Sequence, residues 1–170
     1  MKNFAVLMLL VSGLFLIEGC SGPCKDVSCL NGGTCDGETG DCQCASGYEG
    51  ADCGTAINAK FVGTWNVTEA CVNSDTLNQS YQLIVAPISG YPDSLTLTGI
   101  WNFPNYTIRA KVGLDGLSIG FSRQEMSFVD AFESVNGQIS MDNATLNITY
   151  NWYALGSSTP TRVCQLVGNK

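Results

Sequence analysis

Hydrophobic and polar residues alternate along most of the chain after residue 57, with the period of a half-buried β-strand. Within residues 145–153, for example, Leu146, Ile148, Tyr150 and Trp152 share one face of the extended chain. The same reading predicts strands at about 61–71, 80–86, 94–101, 106–113, 117–123, 131–135, 137–141, 145–155 and 161–167. The pattern therefore predicts a mainly β domain over residues 57–170.

Groups of turn-forming residues lie between these predicted strands. They have the sequences VNSDTLN, ISGYPDS, FPN, LDG, VNG and GSSTP. Short strands joined by hairpins in chain order favour an antiparallel meander barrel of eight to nine strands. A two-sheet β-sandwich is the alternative that the pattern leaves open.

The N-terminus has the pattern of an export signal. Lys2 supplies a positive charge, and an apolar run of 14 residues follows at residues 4–17. A bilayer core of about 30 Å requires about 20 apolar residues, so this run fits the apolar region of a signal peptide instead. We therefore expect an exported protein from which residues 1–19 are removed.

Composition supports an oxidising compartment and narrows the classes of partner. The chain has nine cysteines among 170 residues and a net charge of −7. The cysteines predict a disulfide framework, and the negative charge disfavours nucleic acid and anionic lipid surfaces as partners. The chain contains no histidine, which excludes Ser-His-Asp catalysis, Cys-His catalysis and histidine metal sites.

Nine cysteines cannot all pair within one chain, and the odd one is predicted to be Cys20. The apolar run ends in LFLIEGC, with Gly19 directly before Cys20. This segment resembles the lipobox of bacterial lipoproteins, in which the cysteine is diacylated and becomes the mature N-terminus. The resemblance implies a bilayer anchor at Cys20, because two or three acyl chains hold a protein firmly on a membrane. Ordinary secretory cleavage, with Cys20 free or bonded to another chain, is the alternative.

Six of the remaining cysteines are closely spaced between residues 24 and 53. Their spacing is C-x4-C-x5-C-x6-C-x1-C-x8-C, with NGGTC at the third cysteine and CASGYEGADC at the end. Spacing alone leaves the pairing open. The segment resembles an EGF-like domain, with residues 20–23 as a short lipidated linker before it. That resemblance implies the disulfides Cys24–Cys35, Cys29–Cys42 and Cys44–Cys53.

The EGF-like segment is acidic, which raises the question of calcium. It holds six carboxylates and one lysine, and hard cations prefer oxygen ligands. The calcium-binding class of EGF-like domains has an acidic motif before its first cysteine, whereas this chain has Ser21, Gly22 and Pro23 there. We therefore expect no cofactor and a module that acts as a spacer or protein contact. A secreted calcium-binding protein is the alternative.

The first predicted strand of the β-domain begins with FVGTW, which contains Gly63 and Trp65. The motif resembles the Gly-x-Trp signature of lipocalin-like barrels, in which the tryptophan closes one end and packs against a basic residue of the last strand. The resemblance implies that Arg162 is this basic residue. A core tryptophan at the start of some other β-domain is the alternative.

The two cysteines of the β-domain lie in its first and last predicted strands. Cys71 ends the first strand and Cys164 lies in the last, and these strands are neighbours in a closed barrel. A disulfide Cys71–Cys164 would close a loop of about 94 residues, which the chain-entropy model values at about 4–5 kcal/mol. The pair favours the barrel, although a sandwich also permits the bridge.

The order of these segments resembles that of exported lipoproteins of the Bacteroidetes group. The resemblance implies lipid anchoring to the bacterial outer membrane and leaves open whether the protein is on the periplasmic or the surface face. The triplets DTL at 75–77 and DSL at 93–95 also resemble the O-glycosylation motif of those bacteria. This second resemblance implies glycans on Thr76 and Ser94.

The sequence predicts no enzyme. It has no phosphate-binding glycine loop and no cluster of metal ligands, and its acidic residues have no recognised catalytic spacing. We expect a non-catalytic interaction, adhesion or scaffold module of the cell envelope, with a protein or glycan partner. In the alternative, a lipocalin-like barrel carries a small apolar ligand. The candidates for lining its cavity are Trp101, Phe103, Tyr106, Phe121, Phe128 and Trp152.

Overall fold

The structure is a computed structural model of the 170-residue chain. It describes residues 22–72, 78–125, 130–139, 144–154 and 156–170. Cys20, Thr76 and Phe128 lie outside these ranges, so the predictions on them stay predictions. No helix within the described ranges has the length and apolar character needed to cross a membrane.

Two small hairpins and three disulfides build the cysteine-rich module, residues 22–56. β1 (Thr34–Cys35) pairs antiparallel with β2 (Cys42–Gln43), and β3 (Tyr48–Glu49) pairs antiparallel with β4 (Thr55–Ala56). Its disulfides are Cys24–Cys35, Cys29–Cys42 and Cys44–Cys53, the pairs that the resemblance implied. Few apolar side chains of the module are buried, so cross-links that restrict the unfolded chain must stabilise it.

A 3-10 helix, η1 (Ala59–Phe61), leads into one antiparallel sheet, which has nine strands in the described ranges. The strands are β5 (Gly63–Val72), β6 (Asn78–Ile88), β7 (Tyr91–Thr98), β8 (Thr107–Val112), β9 (Ile119–Gly120), β10 (Gln124–Glu125), β11 (Asp130–Ile139), β12 (Thr145–Ala154) and β13 (Arg162–Asn169). A second 3-10 helix, η2 (Ile100–Asn102), lies between β7 and β8. Strands that follow one another pair, except β9 and β10, and β13 returns to pair with β5. The antiparallel meander barrel is therefore confirmed, and the sandwich alternative is wrong.

The barrel is nearly closed, and its opening lies between β9 and β10. Gly137 of β11 comes so close to β9 that a Cβ atom at this position would overlap the carbonyl oxygen of Ile119. Beside the opening, the Arg109 N–H donates to Gln124 Oε1 at 2.8 Å, and Gln124 Nε2 donates to the Arg109 carbonyl at 2.6 Å. The side-chain amide thus continues the hydrogen bonding of β8 beyond the short strand β9.

The strand register defines two ends of the barrel. Gly63 of β5 and Tyr91 of β7 lie at one end, which we call the module end because β4 and η1 enter there. Val72 of β5 and Arg162 of β13 lie at the opposite end, which we call the mouth. Between the two ends the interior is packed with buried apolar side chains, among them Val67, Leu83, Val85, Leu95, Leu97, Ile108, Leu146, Ile148 and Leu166.

Two predicted strands, 131–135 and 137–141, are one strand in the structure. β11 runs continuously from Asp130 to Ile139 and pairs with β12 along its length. The VNG segment at 135–137, predicted as a turn, is instead a break in register between Ser134 and Asn136. An extra residue in one strand can be absorbed as a β-bulge, so a glycine-containing triplet need not reverse the chain.

Candidate functional site

Trp65 closes the module end of the barrel. Its side chain is fully buried, and its indole Nε1 donates to the Phe61 carbonyl at 2.8 Å. Lys170 Nζ lies 4.7 Å from the centroid of the indole ring. The expectation that Arg162 is the basic partner of Trp65 is wrong. Arg162 begins β13 at the mouth, whereas the residue that follows the end of this strand reaches Trp65.

Three side chains form an aromatic and cationic group at the mouth, the mouth cluster of Trp101, Trp152 and Arg162. The two indole rings stack with their centroids 6.2 Å apart and their planes 24° apart. The Arg162 guanidinium lies 4.9 Å from the Trp152 centroid and 5.7 Å from the Trp101 centroid. Trp152 and Arg162 are directly opposite in the β12–β13 register, which brings both side chains to one face of the sheet.

Two N–H groups of the mouth cluster are buried and lack a hydrogen-bond partner among the described residues. They are Nε1 of Trp152 and Nε of Arg162. No described carboxylate lies within ion-pair distance of the Arg162 guanidinium either. A buried donor left without an acceptor costs about 1–3 kcal/mol. The mouth cluster therefore has more hydrogen-bond donors than the surrounding described residues satisfy.

The backbone of η2 places Trp101 in this cluster at a conformational cost. Trp101 has φ 58° and ψ 27°, and Asn102 has φ 56°, both in the left-handed region. For a residue with a side chain this conformation costs roughly 1–2 kcal/mol. The Trp101 N–H donates to the Tyr81 hydroxyl at 3.1 Å, which helps to hold the loop in place.

Behind the mouth cluster, the Cys71–Cys164 disulfide joins β5 to β13 at directly opposite positions. Two residues before Cys71 lies Glu69, whose side chain is fully buried. Its Oε2 accepts hydrogen bonds from Gln79 Nε2 at 2.7 Å and from the Tyr81 hydroxyl at 3.0 Å, and its Oε1 accepts one from the Tyr150 hydroxyl. Burial raises the pKa of Glu69 to about 7. The hydrogen bonds from Gln79 and Tyr81 act in the opposite direction but are the smaller effect.

Glu69 is not among the residues predicted from the sequence, although its position in β5 has a recognisable signal. In β5 the inward residues alternate as Trp65, Val67, Glu69 and Cys71, so the strand period alone places a carboxyl in the interior. Gln79 lies directly opposite Glu69 in the β5–β6 register. The strand period thus predicts the buried acid, and the register then supplies one of its partners.

One group of metal-ligating residues lies close together in the described ranges. It consists of Glu69, Cys71 and Cys164, whose ligand atoms lie within 4.8 Å of one another. The two sulfur atoms are bonded to each other, so neither is a thiolate. We therefore assign no metal to this group.

The acidic side chains of the module have local structural roles where their contacts are defined. Asp36 Oδ1 accepts hydrogen bonds from the Glu38 N–H at 2.8 Å and the Thr39 N–H at 3.2 Å. These backbone hydrogen bonds lower the pKa of Asp36. Asp52 Oδ1 likewise accepts from the Gly54 N–H at 2.9 Å. Both carboxylates stabilise turns of the disulfide-bonded loops.

The structure separates the aromatic residues that were expected to line a cavity. Trp101 and Trp152 meet at the mouth, and Tyr106 is packed partly against the core. Phe121 is buried, with its ring centroid 6.3 Å from that of Tyr150. Phe103 is 43% exposed, so its ring lies at the surface. Of the expected lining residues that the structure describes, the two tryptophans belong to the mouth cluster.

Ser94 is a poor acceptor for a glycan in the folded chain. Its residue is only 7% exposed, and its hydroxyl donates to Asp93 Oδ1 at 2.8 Å. Its carbonyl accepts a hydrogen bond from Asn58 Nδ2 at 2.8 Å. A transferase would reach this hydroxyl only before folding, so the structure disfavours the expected modification of Ser94.

A groove of about 800 Å³ lies beside β8, near the opening of the barrel. It is lined in part by Tyr91, Arg109, Lys111 and Gln124. The Lys111 ammonium pairs with Asp93 Oδ2 at 3.3 Å, and the amide of Gln124 is bound to the backbone of β8. The groove follows the incomplete edge of the sheet, and the side chains of Lys111 and Gln124 are already engaged within the protein.

The cysteine-rich module packs directly on the module end of the barrel. The side chain of Asn58 is buried, and its Nδ2 donates to the carbonyls of Tyr91 at 3.1 Å and Ser94 at 2.8 Å. The Asn58 N–H donates to the Pro92 carbonyl at 3.1 Å. One buried amide thus fastens the connection between module and barrel to β7.

Two further contacts hold the module itself against the barrel domain. The Lys60 ammonium of η1 lies 2.9 Å from Glu49 Oε1 of β3. Gly47 lies against the ring of Pro92, so closely that a Cβ atom on Gly47 would be 2.6 Å from Pro92 Cγ. The two parts of the chain are therefore joined by packing and hydrogen bonds as well as by the connecting backbone.

Comparison with known proteins agrees with the separation of the chain into two parts. The family model of the EGF-like domain matches residues 20–53. No curated protein matches the chain. The cysteine-rich module is therefore an EGF-like domain, and it is followed by a nearly closed antiparallel barrel.

Proposed function

We propose that this chain is an exported, lipid-anchored and non-catalytic interaction protein of the bacterial cell envelope. In this proposal Cys20 carries acyl chains, the EGF-like module holds the barrel away from the bilayer, and the mouth of the barrel faces a partner. The observation that carries the proposal is the fixed docking of the module on the end of the barrel opposite the mouth.

The anchor and the mouth then lie on opposite sides of the barrel. Cys20 precedes Cys24, the first cysteine of the module, by only a short linker. The membrane would therefore be on the module side, because Asn58 and Gly47 fix the module to β7. The mouth presents tryptophan and arginine side chains, which are enriched among residues that dominate binding interfaces.

The surroundings of Glu69 support a non-catalytic role. A carboxyl with a raised pKa is a candidate general acid or base when it faces a cleft. Glu69 is instead fully buried, and its two oxygens accept hydrogen bonds from Gln79, Tyr81 and Tyr150. These contacts make the Glu69 carboxyl part of a buried polar network.

A lipocalin-like carrier of a small ligand is the second candidate function. The N–H groups of Trp152 and Arg162 that have no acceptor among the described residues favour it, because a ligand at the mouth would supply acceptors for them. The packed interior argues against a deep apolar cavity, since Leu83, Leu97 and Ile148 fill the barrel behind the mouth. A carried ligand would therefore be held at the mouth.

The anchor is tested by comparing the full chain with its Cys20→Ser variant in a bacterium that makes lipoproteins. We expect the unaltered chain to be cleaved before Cys20, to gain acyl chains in intact mass spectra and to sediment with membranes. The Cys20→Ser variant is expected in the soluble fraction. An unacylated and soluble parent protein would overturn the anchor.

The orientation is tested with the acylated protein on vesicles. A quencher attached to the lipid chains is expected to leave the fluorescence of Trp101 and Trp152 unchanged, whereas a water-soluble quencher reduces it. Trp65, which is fully buried at the module end, provides the background signal in both experiments. Strong quenching by the lipid-attached group would place the mouth on the membrane and contradict the proposal.

A further inference from the structure

We propose that the mouth cluster binds a small organic carboxylate, with the planar body of the ligand lying against the indoles of Trp101 and Trp152. This inference rests on the proposed non-catalytic binding role and names the chemical class of the ligand.

The ligand must supply hydrogen-bond acceptors. Trp152 Nε1 and Arg162 Nε, which lack a partner in the described part of the chain, are both donors and have no acceptor capacity. Their residues are directly opposite on neighbouring strands, which brings both side chains to one face of the sheet at the mouth. A carboxylate has two oxygens in the geometry that suits this arrangement and the planar guanidinium.

The ligand must also carry a negative charge. Arg162 is the cation of the mouth cluster, and no described carboxylate pairs with it. Glu69 is the buried acid on the same side of the barrel, but the Cys71–Cys164 disulfide lies between their positions along the strands. Its oxygens are already occupied by side chains of β6 and β12. One cation without a described counter-ion suits one carboxylate.

The body of the ligand should be flat and apolar. Trp101 and Trp152 are both half-buried, and the exposed parts of their stacked rings lie beside the guanidinium, so together they form an aromatic and cationic surface. A planar ring packs on such a surface with little loss of conformational entropy, because it is rigid before binding. The left-handed backbone of Trp101 keeps its ring in the cluster, and strain of this kind is concentrated at ligand sites.

The first experiment uses benzoate as the probe and the whole isotope-labelled chain in mild detergent. The chain has three tryptophans, so indole N–H resonances report on the two ends of the barrel separately. We expect benzoate to shift the Trp152 indole resonance saturably and to leave Trp65 unchanged, because Trp65 Nε1 is bound to Phe61. Absence of a saturable shift at Trp152 would overturn the inference.

Two matched probes separate charge from shape. Benzamide has the same ring without the charge, and acetate has the charge without the ring. Benzamide loses the charge-assisted hydrogen bonds and acetate loses the packing on the indoles, so we expect each control probe to bind at least about tenfold more weakly than benzoate. Equal binding of benzamide would show that no carboxylate is recognised.

The residue test is Arg162→Gln, with Arg123→Gln as the control. Arg123 also lies over an aromatic ring, 4.3 Å from the Tyr153 centroid, and donates to the Ser157 carbonyl. We expect benzoate affinity to fall at least about tenfold in Arg162→Gln and to stay unchanged in Arg123→Gln. Unchanged affinity in Arg162→Gln would refute the assignment.

A second variant covers the case in which Arg162→Gln does not fold. Arg162→Lys keeps the charge but loses the Nε donor and the planar fork, so it is expected to weaken benzoate binding about tenfold. Parent-like affinity in Arg162→Lys would contradict the role of the guanidinium. The benzoate titration tests ligand binding at the mouth, and membrane fractionation tests the lipid anchor at Cys20. Failure of one proposal can therefore be distinguished from failure of the other.

Discussion

The ammonium of Lys170 lies 4.7 Å from the centroid of the Trp65 indole ring, at the end of the barrel where the EGF-like module docks. The same ammonium donates a hydrogen bond to the Lys60 carbonyl at 2.7 Å. Partial burial lowers the pKa of Lys170. The residue after β13 therefore links Trp65 of β5 to the 3-10 helix that precedes this strand.

Replacing Lys170 by methionine tests this contact. We expect Lys170→Met to lower the free energy of unfolding by about 1–2 kcal/mol, because it removes a cation–π contact and a hydrogen bond but keeps the apolar stem. Urea denaturation followed by tryptophan fluorescence measures the change. Lys25→Met, at an exposed position of the module, is the control, and an equal loss in both variants would contradict the role of Lys170.

The sequence predicts the barrel and the meeting of its first and last strands, because the alternation marks strands and the positions of Cys71 and Cys164 suit neighbouring ones. It does not identify the partner of Trp65. A basic residue in the last strand satisfies the lipocalin-like pattern wherever it lies, and Arg162 is such a residue. The direction of β13 decides which basic residue can contact Trp65, because Arg162, the first residue of this strand, is at the mouth.

The mouth cluster is harder to predict than the strands. Trp152 and Arg162 become neighbours through the β12–β13 register, which the length of the hairpin sets and the alternation does not. Trp101 joins them through a left-handed backbone in η2, where local sequence preference would favour another conformation. Long-range packing therefore determines the candidate site.

Glu69 predicts a specific dependence of stability on pH. Its pKa is about 7 in the folded chain against 4.5 for an unperturbed group. Between these values the folded state binds a proton that the unfolded state has lost, so the free energy of unfolding falls as pH rises. We expect a loss of about 3 kcal/mol between pH 4.5 and pH 8, and urea denaturation across this range measures it.

The Glu69→Gln variant separates this effect from other titrations. The amide keeps a hydrogen-bonding group among Gln79, Tyr81 and Tyr150 but does not ionise, so the variant is expected to lose most of the decline. It should also be more stable than the parent at pH 8. Glu38→Gln, at an exposed turn, is the control and should retain the parent slope. If the unfolding free energy of Glu69→Gln fell with pH as steeply as that of the parent, a group other than Glu69 would be responsible.

The Cys71–Cys164 disulfide is expected to be the most stabilising single cross-link of the barrel. It joins residues 93 positions apart, and loops of this size are valued at about 4–5 kcal/mol in the chain-entropy model. Both cysteines are buried, so the double Cys→Ala variant keeps an apolar residue at each position. We expect its urea midpoint, followed by tryptophan fluorescence, to fall steeply.

The matched control removes Cys44 and Cys53 in the same way. Their disulfide spans only 9 positions and lies in the module, away from the tryptophans of the barrel. We therefore expect the fluorescence-detected midpoint to change far less than in the Cys71 and Cys164 variant. Equal decreases of the urea midpoint in the two double variants would show that module and barrel unfold as one unit. They would also show that closing the longer loop gives no extra stability.

The docking of module and barrel is expected to depend on Gly47. This residue has φ +91°, and an added Cβ atom would lie 2.6 Å from Pro92 Cγ. Gly47→Ala therefore combines backbone strain of roughly 1–2 kcal/mol with a clash at the interface. The clash with Pro92 exists only in the docked state, so we expect it to increase the population of undocked molecules by about tenfold. Lys60, whose side chain is only 15% exposed in the docked state, should then become accessible.

Limited trypsin digestion with mass spectrometry measures the exposure of Lys60 as the rate of cleavage after this residue. Gly37→Ala is the matched control, because this glycine has open space around its Cβ position and no positive φ. Cleavage after Lys60 should be about tenfold faster in Gly47→Ala and unchanged in Gly37→Ala. Equal rates in both variants would mean that Gly47 does not hold the module in place. The proposed outward orientation of the mouth would then lose its structural basis, because a freely moving barrel has no fixed direction relative to the anchor.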